Sequence, residues 1–175
     1  DIARLPILHS LSKEQEVNDL VTENINLAKE DFDSFENSWD FTAHPFIKYK
    51  TSTGKLLDAY LQWEKVANSR FNKVKENEEK LNEIFLDIYN VKGGFKSEVE
   101  EKDVTIYKAE KVRDVKSFLS YVVGCVLGRY NLDDLGNVYT GEVWDIDKYK
   151  TFTPVTENCV LITDNEDYDE DIVYY

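Results

Sequence analysis

Residues 55–90, KLLDAYLQWEKVANSRFNKVKENEEKLNEIFLDIYN, contain neither glycine nor proline. Apolar side chains recur at Leu56, Tyr60, Trp63, Ala67, Phe71, Val74, Leu81, Phe85 and Ile88, with one gap at Asn77 or Glu78. A spacing of three and four puts them on one face of an α-helix. At 1.5 Å per residue the stretch would reach roughly 54 Å, and one apolar stripe on so long a helix needs a second helix beside it. The partner lies upstream, where Val17, Leu20, Val21, Ile25, Ala28 and Phe32 repeat the same spacing. Ser12-Lys-Glu-Gln in front of it has the S-x-x-Q form of a capping box, so this helix is predicted to start near Ser12 and to fade around Phe32 to Phe35. The pair reads as a long antiparallel hairpin with coiled-coil character, short of the three or four unbroken heptads of a full coiled coil.

The segment NSWDFTAHP, 37–45, is an irregular connection, and His44 before Pro45 is biased away from helical backbone. Gly93-Gly94 is expected to end the long helix by supplying positive φ at its C-terminal cap. VTIYKA, 104–109, reads as a strand or a loop. RDVKSFLSYVVGCVLGRY, 113–130, reads as a buried core helix, with Phe118, Val122, Cys125 and Leu127 too apolar to face water. Its apolar run of 118–127 is well short of the roughly 20 residues of a membrane span. Gly124 and Gly128 form a GxxxG that predicts close helix packing against the hairpin. The turn NLDDLG places backbone freedom at Gly136, NCVLIT (158–163) reads as a short strand, and an acidic DNEDYDEDIVYY closes the chain. The fold class expected is mainly α: a long antiparallel helical hairpin plus a small helical subdomain with minor strands. The expected division is 1–8 as the tail of a preceding domain, 9–93 as the hairpin or spacer, and 94–175 as the small subdomain.

The content of 42% hydrophobic and 13% aromatic residues argues for a packed core despite 32% charge. The chain opens at Asp1 and holds no Met. That suggests a piece of something longer, with DIARLPI as the last strand of a preceding domain. Thirty-five acidic residues against 21 basic ones give a net charge of −14, the opposite of the basic surface that phosphate neutralisation favours in a free-standing nucleic-acid binder. Two cysteines, Cys125 and Cys159, are too few for a disulfide framework, which fits a reducing cytoplasm.

Chemistry-bearing motifs are sparse. His9 and His44 are far apart and neither CxxC nor HExxH occurs, so no metal site is expected. The alternating Asp167, Asp169 and Asp171 lack the glycine and closing glutamate of a calcium loop. No G-x-S-x-G or P-loop is present, so neither catalytic nor cofactor-binding residues are assigned. The one basic cluster is Lys108, Lys111, Arg113 and Lys116, at the start of the second-half helix. It has two readings: DNA-phosphate contacts at a helix N-terminus, or a solvated face among Glu98, Glu100, Glu101 and Glu110. The negative surroundings weigh toward the second. Exposed aromatics such as Trp39, Phe41 or Trp144 offer a third class of role, docking of a protein partner.

Several phrases resemble one enzyme family: DIARLPI, KEDFDSFENSWDF with HP at 44–45, NEEKLNEIFLDIYNV, EVEEKDVTIYKAEKVRDVKSFLSYVVGCVLGRYNLDDLG, KYKTF and DNEDYDEDIV. In this order they are similar to the region after the methyltransferase domain in the adenine-specific DNA methyltransferases of the BREX phage-defence system, the PglX family. They are more distantly similar to type IIG restriction–modification enzymes. The resemblance implies a parent that moves a methyl group from S-adenosylmethionine to adenine N6 in DNA. It implies DNA, the rest of the same polypeptide and other defence proteins as partners, with no membrane and no metal. The family's Asn/Asp-Pro-Pro-Tyr/Phe motif needs adjacent prolines, whereas Pro6, Pro45 and Pro154 are isolated, and the glycine-rich cofactor motif is missing too. The segment alone is therefore expected to be inactive and to bind no cofactor: a spacer between the catalytic and target-recognition parts.

Overall fold

The computed structural model describes residues 7, 8, 10–91, 93–141 and 143–155, and the backbone of 159–161 and 172–174. The chain is mainly helical, with α1 at Glu14–Phe32, α2 at Pro45–Lys48, α3 at Leu56–Ile88 and α4 at Lys111–Val126. β1 (Cys159–Leu161) pairs antiparallel with β2 (Ile172–Tyr174), Val160 opposite Val173. The first of these strands lies inside the expected 158–163, whereas the second falls in the stretch read as an acidic irregular end. The start at 1–6, His9 and the acidic run through Asp171 lie outside the described residues. The chain forms two compact units, one of 1–32 with 63–109, the other of 33–62 with 110–175.

In the first unit α1 and α3 run antiparallel. Lys80 meets Glu16, Lys73 meets Glu23, and Arg70 meets Glu30 and Asp31, so rising numbers on one helix face falling numbers on the other. Facing the partner along α3 are Trp63, Ala67, Arg70, Val74, Asn77, Leu81, Ile84 and Ile88, all buried or half-buried. Their spacing alternates four and three throughout, which is a heptad seam. The apparent gap is therefore no gap. Asn77 continues the seam as a buried amide, and Phe85, expected inside, is exposed while Ile84 takes its place.

α1 corrects its expected face in the same way. Val17 and Leu20 point inward, but Val21, Ile25 and Phe32 are exposed, and Asp31 is buried instead. The inward face carries Asn24 and Asp31, each bonded to α3, together with Leu27 and Ala28, which pack against Phe71 and Val74. The capping box is not formed either. The helix begins at Glu14, two residues late, and Gln15 donates to Asp19 Oδ1 at 2.7 Å rather than reaching back. At the far end of α3, Asn90 with φ 48° is the left-handed residue. Val91 N–H donates to Leu86 O and Asn90 N–H to Asp87 O, the paired bonds of a Schellman cap. Gly93 and Gly94 also have positive φ but follow a cap already complete. Past them, 97–109 is neither strand nor free loop. Val99 N–H donates to Glu79, Thr105 Oγ1 to Glu78 and Ala109 N–H to Asn68, so the segment runs back along α3. Val104 and Ile106 bury against Phe71 and Val74, with Leu27 and Ala28 beside them.

The second unit is centred on Phe41, Ala43, Tyr121, Cys125 and Tyr130, with Ile47 and Phe118 against them. α4 is amphipathic rather than buried all round. Asp114, Tyr121 and Cys125 are inside, whereas Val122, expected in the core, is exposed together with Val112 and Leu119. Its glycines also depart from expectation. A Cβ on Gly124 would meet the Tyr130 ring at 2.7 Å and one on Gly128 the Trp144 ring at 2.3 Å, so aromatic rings of the same unit, not the hairpin, occupy the space over them. His44, with extended backbone, caps the short helix that Pro45 opens: its Nδ1 accepts from Phe46 N–H at 3.2 Å.

Candidate functional site

A polar and aromatic concavity of the second unit lies beside the turn after α1. Residues 33–41 fold on themselves: Ser38 N–H donates to Phe35 O, Ser38 Oγ to Asp33 Oδ1 (2.5 Å), and Asp40 N–H to Ser38 Oγ (3.0 Å). Phe41 anchors the end of the turn in the core, its ring edge-on to Tyr121 and Tyr130 at 5.8 and 5.5 Å. Two residues earlier, Trp39 projects with 98% of its surface exposed. A sidedness change over so short a stretch requires a fixed turn, and these bonds supply it.

The opposite wall comes from the end of α4. Gly128, φ 79°, carries the left-handed turn, and Arg129 N–H donates to Gly124 O and Gly128 N–H to Cys125 O, a second Schellman cap. This reversal lays Tyr130 back over Gly124, where only a hydrogen leaves room for the ring. Tyr130 is 1% exposed, stacked on Tyr121 at 5.0 Å, with the Arg129 guanidinium 5.5 Å above its ring. A single antiparallel bridge to Asn137, with Val138 N–H donating to Arg129 O, fixes the hairpin 130–137. Within it Asn131 Oδ1 accepts from Asp133 and Asp134 N–H, and Gly136 N–H reaches Thr42 O. The Asp133 carboxylate accepts from Lys150 and Thr151 N–H and Thr151 Oγ1, which holds it below the usual carboxylate range.

Between the walls is a pocket of ≈240 Å³. Trp39 supplies the exposed aromatic surface, the buried Phe41 and Tyr130 form the floor, Asn37 and Asn137 are polar lining residues, and Arg129 and Glu36 add one charge of each sign. Burial, and then the hydrogen bond to the Glu36 carboxylate, push the Tyr130 hydroxyl up to about 12. It stays protonated and donates. Cys125 below is a buried free thiol, its pKa raised by burial, and so behaves as a small apolar side chain. The site can stack a planar group and hydrogen-bond its edge; no nucleophile or acid–base pair is assembled in it.

The basic cluster of the sequence is distributed differently. Lys108, in the first unit, pairs with Glu101 at 2.6 Å and lies 4.9 Å above the Phe71 ring. Lys111, Arg113 and Lys116 belong to the second unit. Arg113 pairs with Asp114 at 2.7 Å and covers Phe35, while Lys111 and Lys116 are exposed. At this helix end Glu110 accepts from Val112 and Arg113 N–H at 3.0 and 2.6 Å, and these bonds hold its carboxyl below the usual range. Of the three aromatics singled out by sequence, Trp39 is exposed, Phe41 is core, and Trp144 is half-buried, stacked on Tyr149 at 5.2 Å. Nothing local in the sequence marks Arg129, Tyr130 or Asn137 as site residues except the adjoining Gly128. Among the described residues no group of three or more His, Cys, Asp or Glu is arranged to hold a metal ion, and no helix is long and apolar enough to cross a membrane.

No family model matches the chain. Over 173 residues, 97% of the chain, it is 39% identical to the adenine-specific methyltransferase PglX of Lacticaseibacillus casei (strain Zhang), covering 14% of that protein. Over 98% of the chain it is 25% identical to the adenine-specific methyltransferase BrxX of Escherichia coli O9:H4 (strain HS), covering 16%. The chain is thus related, along nearly all of its own length, to PglX-type adenine-specific methyltransferases, and it spans only 14–16% of the length of these curated relatives.

Proposed function

We propose that the chain is a non-catalytic helical segment of an adenine-N6 DNA methyltransferase of a BREX-type phage-defence system, holding the catalytic and target-recognition parts at a fixed separation. The carrying observation is the hairpin itself. α3 has 33 residues, about 50 Å of helix, and polar pairs to α1 recur from Glu16–Lys80 to Asp31–Arg70. Helices pinned at intervals resist sliding and bending, which is what a spacer needs. S-adenosylmethionine and DNA then belong to the parent enzyme, and the residues for methyl transfer to its other parts.

The test is made in the full-length enzyme. Removing one heptad from each arm, in register, shortens the hairpin by about 10 Å while keeping the seam. S-adenosylmethionine binding should persist while methylation of the recognised sequence falls by about 100-fold, the scale of a misplaced reacting group. A shortened enzyme that methylates at the original rate would sink the spacer reading.

A further inference from the structure

We propose that the pocket beside Trp39 receives one unpaired nucleobase of a nucleic-acid strand. The inference rests on the reading of the chain as part of a DNA-modifying enzyme, and adds a site that this reading does not contain. An indole 98% exposed on a turn closed by its own hydrogen bonds is a presented surface. Unstacked bases are held on such aromatic faces and on arginine guanidinium planes, with their edges read by hydrogen bonds. Here the Arg129 guanidinium lies 5.5 Å from the Tyr130 ring, and Asn37 and Asn137 line the same space. A carboxamide both donates and accepts, the pattern that an adenine edge presents. At ≈240 Å³ the pocket suits one ring system rather than a whole cofactor.

Charge narrows the ligand further. Arg129 and Glu36 cancel within the pocket, and the chain carries −14 overall, so phosphates gain little here. The site takes the base and leaves the backbone outside. Its signature is preference for single strands with a shallow dependence on salt, unlike a phosphate grip.

The full chain is titrated with a short single-stranded oligodeoxyadenylate and with the duplex of the same sequence, at several salt concentrations. The single strand should bind in preference. Trp39→Ala should weaken it by about tenfold or more, the loss of one stacked base, whereas Trp39→Phe should keep most of the affinity. Because Trp39 is solvent-exposed, circular dichroism of the variants should match that of the original chain. Absence of binding, an unchanged Trp39→Ala affinity, or equal binding of duplex and single strand with a steep salt slope would each overturn the proposal. A Trp39 that serves a protein partner instead gives the first or second of these. None of them touches the spacer reading, which hairpin length decides.

Discussion

The carboxamide of Asn77 donates to Asn24 Oδ1 at 2.9 Å across the two helices of the first unit, and its other hydrogen reaches Glu23 Oε2 at 2.8 Å. Asn77 is 1% exposed and occupies a heptad seam position. A polar residue there fixes register at a cost in stability, because any other alignment leaves the amide without partners.

Replacing Asn77 by Leu alone should destabilise the chain by about 1–3 kcal/mol, since Asn24 loses its donor in a partly buried place. Asn24→Leu with Asn77→Leu should recover much of that loss, giving a coupling above roughly 0.5 kcal/mol in a double-mutant cycle. Additive single losses in denaturant melts would mean that the two amides are independent.

Arg70 makes the same argument with charge. Its guanidinium is buried 3.4 Å from Asp31 and 3.6 Å from Glu30, with Trp63 5.6 Å beneath. Arg70→Met removes the guanidinium that pairs with the buried Asp31 carboxylate and should cost about 3–5 kcal/mol. Lys73→Met removes a partner of Glu23 from a solvent-exposed pair and should cost no more than about 1 kcal/mol. Similar losses for the two would contradict the seam placement of Arg70.

His44 predicts a pH dependence. It is fully buried, its Nδ1 accepts from Phe46 N–H, and its Nε2 has no partner, facing a setting of Phe46, Phe118 and Tyr121 rings. Burial, and secondarily the Lys48 charge, lower its pKa from 6.5 to about 4. The unfolded chain therefore takes up a proton first as pH falls. The stabilisation is complete above 6.5 and is lost progressively down to about 4, by an amount of order 3 kcal/mol. His44→Asn keeps a capping acceptor without the titration, so its melts should lose this component between pH 6.5 and 4. An identical pH profile for the two proteins would refute the assignment.

Gly124 carries a prediction about space. Gly124→Ala drives a methyl into the Tyr130 ring, which Tyr121 and Phe41 hold in place, and should cost about 1–3 kcal/mol. Lys111→Ala, on the exposed side of the same helix, should stay within about 0.5 kcal/mol. If Gly124→Ala melts like the original chain, Tyr130 does not pack over that glycine.

The sequence alone determined which stretches are helical. The long run without glycine or proline, the three-and-four spacing and the acidic or glycine punctuation are local properties, and α1, α3 and α4 lie close to where they are read. The same order of blocks carried the family resemblance. Only the tertiary structure decided which faces turn inward. Apolar spacing placed Val21, Ile25 and Phe32 inside, but a buried Asp31 or Asn77 is stable only beside a partner 39 or 53 residues away, and once those pairs form the helix faces follow them. The candidate site was hidden for the same reason. Trp39 and Phe41 look alike in sequence, yet the turn between them and the reversal at Gly128, which brings Tyr130 under Phe41, send one ring to solvent and the other to the core.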